Sequence, residues 1–217
     1  MHYRLVGTAW KLYGGEPLKT RVHVACRVLT CPFEALLARF PVDGAVLDIG
    51  CGHGLLLNLL ALDQSRGHLH MQGVDHDGAK IERASRIGGT RIDFSSRDLA
   101  SFTDNSFDFI SIVDVLYTVK RHIWEKILGH CFRLLRPGGK LLVKEVVDRP
   151  RWKYWAIMAQ ETVSVRLVGL TKGDRPHIEA AGTYRTAICG AGFTVIEETP
   201  LASATWVSHY LYIGEKN

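Results

Sequence analysis

Long apolar runs are missing from this chain. No uninterrupted apolar stretch approaches the roughly 20 residues that a membrane-spanning helix needs. The opening MHYRLVGTAWKLYGG carries no apolar core of the secretory type, so no leader is expected. Cysteine is scarce: Cys26, Cys31, Cys51, Cys131 and Cys189 make five, an odd number at irregular spacing. That pattern argues against a disulfide framework and for a reducing, cytoplasmic setting. Internal repeats, low-complexity tracts and dense Lys/Arg clusters are also absent, which removes solenoids, flexible linkers and basic tails. What remains is a composition of 47% hydrophobic and 23% charged residues over 217 positions, enough to bury one substantial core. One domain spanning 1–217 is the expectation.

The net charge of +5 is unevenly distributed. Residues 1–41 hold six Lys/Arg against two Asp/Glu, and residues 148–177 hold six against three. Residues 42–147 balance at thirteen each, and residues 178–217 hold two against four. A basic arm and a basic internal segment are either solvated faces or pointers to an anionic substrate, a membrane surface or nucleic acid.

Strands alternate with helices through the middle of the chain. Strands are expected at 45–49, 69–74, 90–95, 107–113 and 140–147, and helices at 55–62, 78–86 and 122–135. In the last of these helices Ile123, Trp124, Ile127, Leu128, Cys131, Leu134 and Leu135 recur at three- and four-residue steps. Arg136-Pro137-Gly138-Gly139 is read as its stop. A helix at 179–191 and strands at 194–198 and 209–213 complete the pattern. Repeated βα units imply a doubly wound α/β fold with a mostly parallel sheet. Two segments stand outside the alternation. Residues 1–41 are read as an N-terminal helical arm, with one or two helices at 16–41, the second opened by Pro32. Residues 148–178 form an inserted lid, in which Trp152, Trp155, Ala156, Ala159, Val163, Leu167 and Leu170 fall on one helical stripe. That stripe is a packed lid helix, a wall of a substrate pocket, or a peripheral lipid contact through 150–170.

The sequence VLDIGCGHG at 46–54 follows the first strand and opens a helix. Glycines there let the backbone turn tightly and approach a ligand, and the helix start offers unpaired N–H groups. The next strand ends in Gly73-Val74-Asp75, where a carboxylate can accept both hydroxyls of a ribose. The spacing is G-x-G-x-G, not the G-x-G-x-x-G of nicotinamide-binding folds. Asp48 would repel a pyrophosphate but attract an ammonium group. A ligand with adenosine at one end and an amino acid at the other meets both conditions, and S-adenosylmethionine is such a ligand.

The set VLDIGCGHG, GVDHDGAKIERA, SSRDLASFTDNSFDFISIVDVLYTV and FRLLRPGGKLLV resembles the class I SAM-dependent methyltransferases over residues 42–147, and the tail at 191–213 is similar too. The resemblance implies a Rossmann-like seven-stranded sheet with its last strand antiparallel. By position it implies that Asp48, Ile49, Gly50, Cys51 and Gly52 line the methionine end of the cofactor. Asp75, with His76 beside it, would take the ribose, and Asp77 is the alternative for that carboxylate. Asp98 and Leu99 would flank the adenine, with Asp98 capping a turn as its other role. Val113 and Asp114 would border the transferring methyl. The family often has Ser or Thr where this chain has His53. That ring either alters how the methionine carboxylate is held or points into solvent, and solvent is the expectation.

The acceptor is less constrained. The fourth strand ends Val113-Asp114-Val115-Leu116, not the [DN]-P-P-[YF] of amide and exocyclic-amine methyltransferases. A metal-assisted site would rest on Asp114 and Asp148 alone, and His23 with Cys26 and Cys31 is too thin for zinc; no metal is expected. For a general base the nominees are His177, Tyr117 and His122. The basic arm and lid, with Trp10, Trp152, Tyr154 and Trp155, point to a small apolar or anionic acceptor of lipid-, polyketide- or quinone-like type, with O-methylation favoured. The alternatives are an RNA methyltransferase and a non-catalytic SAM-binding partner protein. A monomer or homodimer is expected, cytoplasmic and in contact with membrane if the lid touches lipid.

Overall fold

A computed structural model of the chain describes residues 2–147, 178–201 and 208–217. The stripe read at 150–170 and the base nominee His177 lie outside them. Among the described residues no helix is long and apolar enough to cross a membrane.

Seven strands build one sheet: β1 (Asp43–Ile49), β2 (His68–Val74), β3 (Ile92–Ser95), β4 (Phe107–Val113), β5 (Leu135–Val146), β6 (Thr194–Leu201) and β7 (His209–Glu215). Their order is β3-β2-β1-β4-β5-β7-β6. Neighbours from β3 through β5 pair parallel. β7 runs antiparallel to both β5 and β6. This is the doubly wound, Rossmann-like sheet with a reversed last strand that the sequence implied.

Both faces of the sheet are covered. Consecutive side chains of a strand point to opposite faces, so Val46 and Leu47, both fully buried, enter different cores. Val46 joins the cluster under α1 (His2–Leu12), α2 (Leu18–Thr30), α3 (Phe33–Leu37), α4 (Leu55–Leu60) and α5 (Gly78–Gly88). Leu47 joins the cluster under α6 (Arg121–Leu134) and α7 (Ala181–Gly190). Strand order reverses between β1 and β4, so their carboxyl ends splay apart and leave a crevice, the usual ligand position in such sheets.

Two details depart from the sequence reading. The helix α1 lies in the expected N-terminal helical arm but ahead of the helices read at 16–41. It contains Gly7 and no acidic residue in its first turn, so its intrinsic helix preference is low. Packing makes it: Ala9 enters the core and Leu5, Val6 and Leu12 lie against it. The helix α6 ends at Leu134, just before Arg136-Pro137-Gly138-Gly139, as read. The second departure is the start of the next strand, read at Lys140: β5 begins at Leu135, and these residues form its irregular first part. Its register against β4 slips between Phe107 and Phe109, and Gly138 takes φ 76°.

Trp124 ties the second layer to the sheet edge. Its indole Nε1 donates to the Leu116 carbonyl at 2.7 Å, just past the end of β4. Its ring stacks on Tyr184 of α7 at 4.8 Å, and both side chains are fully buried. Trp124→Ala is expected to lower the unfolding free energy by about 3–5 kcal/mol, read as a lower urea midpoint at unchanged slope.

Candidate active site

After Ile49, which is buried in the core, the chain turns through Gly50, Gly52 and Gly54 at φ 72°, 55° and 75°. A Cβ at Gly50 would sit 2.4 Å from Val115 Cγ2, and one at Gly54 would sit 2.6 Å from Phe94 Cζ. Packing therefore demands glycine at both ends of the turn. At Gly52 a Cβ would meet nothing within 4 Å, so the middle of the loop borders open space. The backbone N–H groups of Gly50 and Cys51 both donate to the Val74 carbonyl, which clamps the loop to β2. The buried Cys51 thiol is pushed well up by desolvation.

Two carboxylates bracket this loop. Asp75, 7% exposed at its side chain, accepts from the Gly52 N–H and the Asp77 N–H, each at 2.9 Å. Asp77 is occupied as the N-cap of α5, accepting from Ala79 and Lys80. Of the two ribose alternatives, then, Asp75 is the one that faces the loop. His76 is exposed, with Nδ1 3.5 Å from Asp75 Oδ1. Asp48 is 3% exposed and accepts from Ser111 Oγ at 2.7 Å. Burial pushes its carboxyl up to about 7, against the pull of the Ser111 hydroxyl and with further upward pressure from Asp75.

A cleft of about 100 Å3 opens over the loop, with His23, Arg27, Asp48, Gly52, His53 and Val113 among its walls. His53 does not point into solvent, as expected from sequence. It is 5% exposed, its ring centroid lies 5.3 Å from that of His23, and its Nε2 has no hydrogen-bond partner. Its carbonyl accepts from the Tyr13 hydroxyl at 2.7 Å, and α1 and α2 close over the loop and hold the ring in. Burial lowers both imidazoles to about 4, helped for His53 by Lys80 and for His23 by His53 and Arg27. Both rings are neutral at physiological pH.

Beyond Val113 the backbone enters an unusual conformation. Asp114 has φ 58°, a region a non-glycine residue rarely occupies. Its carboxylate accepts from Arg27 Nη1 at 2.7 Å and from Lys144 Nζ at 2.6 Å. Burial alone would raise this carboxyl, but Lys144 and Arg27 outweigh it and hold it well below the carboxylate range. Lys144 is fully buried; Arg27, at 31% exposure, reaches the cleft. Next to Lys144, the buried Glu145 accepts from the Leu116 and Val115 N–H groups at 2.8 and 3.1 Å. Burial and the neighbouring Asp114 push its carboxyl up to about 8.

The remaining nominees are dispersed. Asp98 is exposed and caps the turn Leu99–Ser101, accepting from Ala100 at 2.8 Å. Leu99 is half-buried, and neither borders the cleft over the loop. Tyr117 is half-buried in the turn Leu116–Thr118, within electrostatic range of Arg27. His122 is exposed in the first turn of α6. Arg27, Ser111, Lys144 and Glu145 were not singled out from sequence. The signal for the last two was a charged pair inside an otherwise apolar strand.

A methyltransferase-domain family model matches residues 23–198. The chain belongs to the class I SAM-dependent methyltransferases. Among curated relatives, a ubiquinone biosynthesis O-methyltransferase from Xanthomonas oryzae pv. oryzae is 31% identical over 138 residues, 58% of this chain and 54% of that one. The chain thus spans about half the length of the curated relatives it matches. The structure of a SAM-dependent methyltransferase from Methanosarcina mazei superposes with a TM-score of 0.64 at 19% identity, covering 84% of this chain and 96% of that one. That of geranyl diphosphate methyltransferase in complex with SAM superposes at 0.66 and 13% identity, covering 92% and 90%. At these identities the two structures bear on the fold alone.

The state of Asp48 gives a pH signature for this methyltransferase. The folded chain holds the Asp48 proton more tightly than the unfolded chain does, so stability falls as pH rises from about 4 towards 7, then levels. Asp48→Asn removes that fall. Urea unfolding should find the variant more stable than the parent by about 1–3 kcal/mol at pH 8, with the difference closing towards pH 4.

Proposed function

We propose that this chain is a SAM-dependent methyltransferase that methylates a hydroxyl oxygen of a small apolar or anionic molecule of lipid-, polyketide- or quinone-like type. The observation that carries the reading is the pairing of two nearly buried carboxylates, Asp48 and Asp75, across a glycine loop whose middle borders open space.

The residues fit S-adenosylmethionine. A buried carboxyl held up to about 7 with a single hydroxyl partner is a poor structural element but a good receiver for an ammonium group. Asp75 Oδ1 and Oδ2 each accept one backbone N–H in the free chain, and each keeps a second acceptor direction for a ribose hydroxyl. Asp98 would accept from the adenine amine, and Leu99 would pack on the ring. When bound, the cofactor supplies an electrophilic methyl on a positively charged sulfur. The chain's part is placement: the loop and Val113 set where that end of the cleft lies, and α2 shields it from water. Holding two reactants in a near-attack pose accounts for roughly 7–11 kcal/mol of barrier in well-oriented systems. The choice of oxygen and of a small acceptor is supported by the name of the Xanthomonas relative and by the absence of an amide-type motif after β4.

S-adenosylhomocysteine should raise the melting temperature, and NADH should leave it unchanged. Asp75→Ala should weaken S-adenosylhomocysteine binding by about 1–3 kcal/mol in a calorimetric titration, roughly 5- to 150-fold in Kd. An unchanged Kd would show that the ribose lies elsewhere.

A further inference from the structure

We propose that Arg27 binds the ionised oxygen of the methyl acceptor, so that the acceptor is a phenol or enol held as its anion and no side-chain base is required. This rests on the methyltransferase reading above and adds the chemical class of the acceptor and the residue that recognises it.

Arg27 stands where two regions meet. It lines the cleft together with Asp48 and Val113, and its Nη1 is anchored on Asp114 just past the end of β4. Only one face of the guanidinium is used there. Its Nε and Nη2 hold no hydrogen bond to any described residue, and the side chain is 31% exposed. The anchor itself is costly: Asp114 adopts a positive φ, and Lys144 is buried completely to reach it. A purely structural role would be met by one cation on one carboxylate.

The surroundings leave a positive charge at this wall. Arg27 from α2 and Lys144 from β5 face the single carboxylate of Asp114. Glu145 on β5 is held protonated at neutral pH by burial and by Asp114. His209 on β7 is kept neutral by burial and by Lys144, at about 4. Cys31, after α2, remains a thiol because burial raises it. Tyr117, from the turn after β4, lies within electrostatic range of Arg27. His23, one turn before Arg27 on α2, also lines the cleft, as do His53 and Asp48. Burial lowers both imidazoles to about 4, and taking a proton would also place one more cation near Lys80 and, for His23, near Arg27. They are weak bases for these reasons. An uncompensated buried cation is instead relieved by an anion, and it lowers the pKa of a hydroxyl brought against it.

The step balances without a further reactant. The acceptor O–H proton leaves to solvent water as the oxygen docks on Arg27. The oxygen then forms its bond to the methyl carbon as the carbon–sulfur bond breaks. The electron pair stays on sulfur, which becomes a neutral thioether. Arg27 touches the substrate; Asp114 and Lys144 are positioning residues that fix its orientation and its net charge.

The test uses 4-nitrophenol, whose phenolate absorbs visible light, bound to the full chain saturated with S-adenosylhomocysteine. Titrating the bound probe with pH should give a midpoint at least about one unit below that of the free phenol, roughly a tenfold preference for the anion. Arg27→Met should return the midpoint to the free value, and Arg27→Lys should keep most of the shift. Lys144→Met, which leaves Arg27 balanced by Asp114, should shrink the shift although the contact is retained. An unshifted midpoint, no binding of the probe, or a shift that survives Arg27→Met would overturn the proposal. So would loss of S-adenosylhomocysteine binding in Arg27→Met, since that would give the guanidinium to the cofactor. Failure of the parent chain to bind S-adenosylhomocysteine would instead overturn the methyltransferase reading, and this one with it.

Discussion

Asp48, Asp114 and Glu145 stand at the carboxyl edge of the sheet with almost no water around them, and the answer each receives sets the character of the cleft. Burial disfavours the charge on all three alike. Asp114 meets two cations and stays ionised. For Glu145, burial and the charge of Asp114 outweigh the backbone amides it accepts from, and its carboxyl is pushed up to about 8. Asp48 meets one hydroxyl and sits between, near 7. Three carboxyls of similar intrinsic acidity are thus held in three states by their neighbours, which is how one strand edge provides both a site for a cation and a wall that favours an anion.

The arm formed by α1–α3 is part of this arrangement. Arg27 joins α2 to β4 and β5, Tyr13 holds the His53 carbonyl, and Arg39 pairs with Glu197 of β6. Arg66 reaches back from the turn after α4 to the carbonyls of Leu37 and Phe40. Much of the basic excess seen in residues 1–41 is therefore consumed internally: Arg27 and Arg39 in ion pairs, Arg21 over the Trp10 ring. Arg4, Lys11 and Lys19 are left exposed.

The architecture was legible because it rests on local periodicity. Each β-strand of the core announced itself by an apolar run and a turn, and the glycine loop by its position between strand and helix. Asp48 and Asp75 were legible as the carboxylates beside the glycine loop because their place relative to that loop fixes them. The cluster beyond Val113 was not. Its members lie 30 positions apart for Asp114 and Lys144 and 87 for Asp114 and Arg27, and no local pattern pairs residues at such separations. His53 failed for a related reason: its burial depends on an arm whose first helix has weak intrinsic preference and exists through packing. Arg136-Pro137-Gly138-Gly139 was legible as the end of α6 but not as the opening of β5, because Pro and Gly rarely start a strand; here Lys216 pairs with Gly138 and Gly139 and carries the strand through.

Asp48 and Arg27 line one cleft and are close enough for each to act on the other's charge. In the free chain that mutual attraction is partial, because burial and Asp75 push the Asp48 carboxyl up to about 7. A ligand ammonium at Asp48 draws off its proton and completes the negative charge there. That added anion sits within the field of Arg27 and would reduce its pull on a second ligand unless the first ligand brings further positive charge between them. A sulfonium is such a charge. On the proposed reading such a donor would stand between Asp48 and Arg27 as a positive charge, and the acceptor anion would then be attracted by the donor as well as by Arg27.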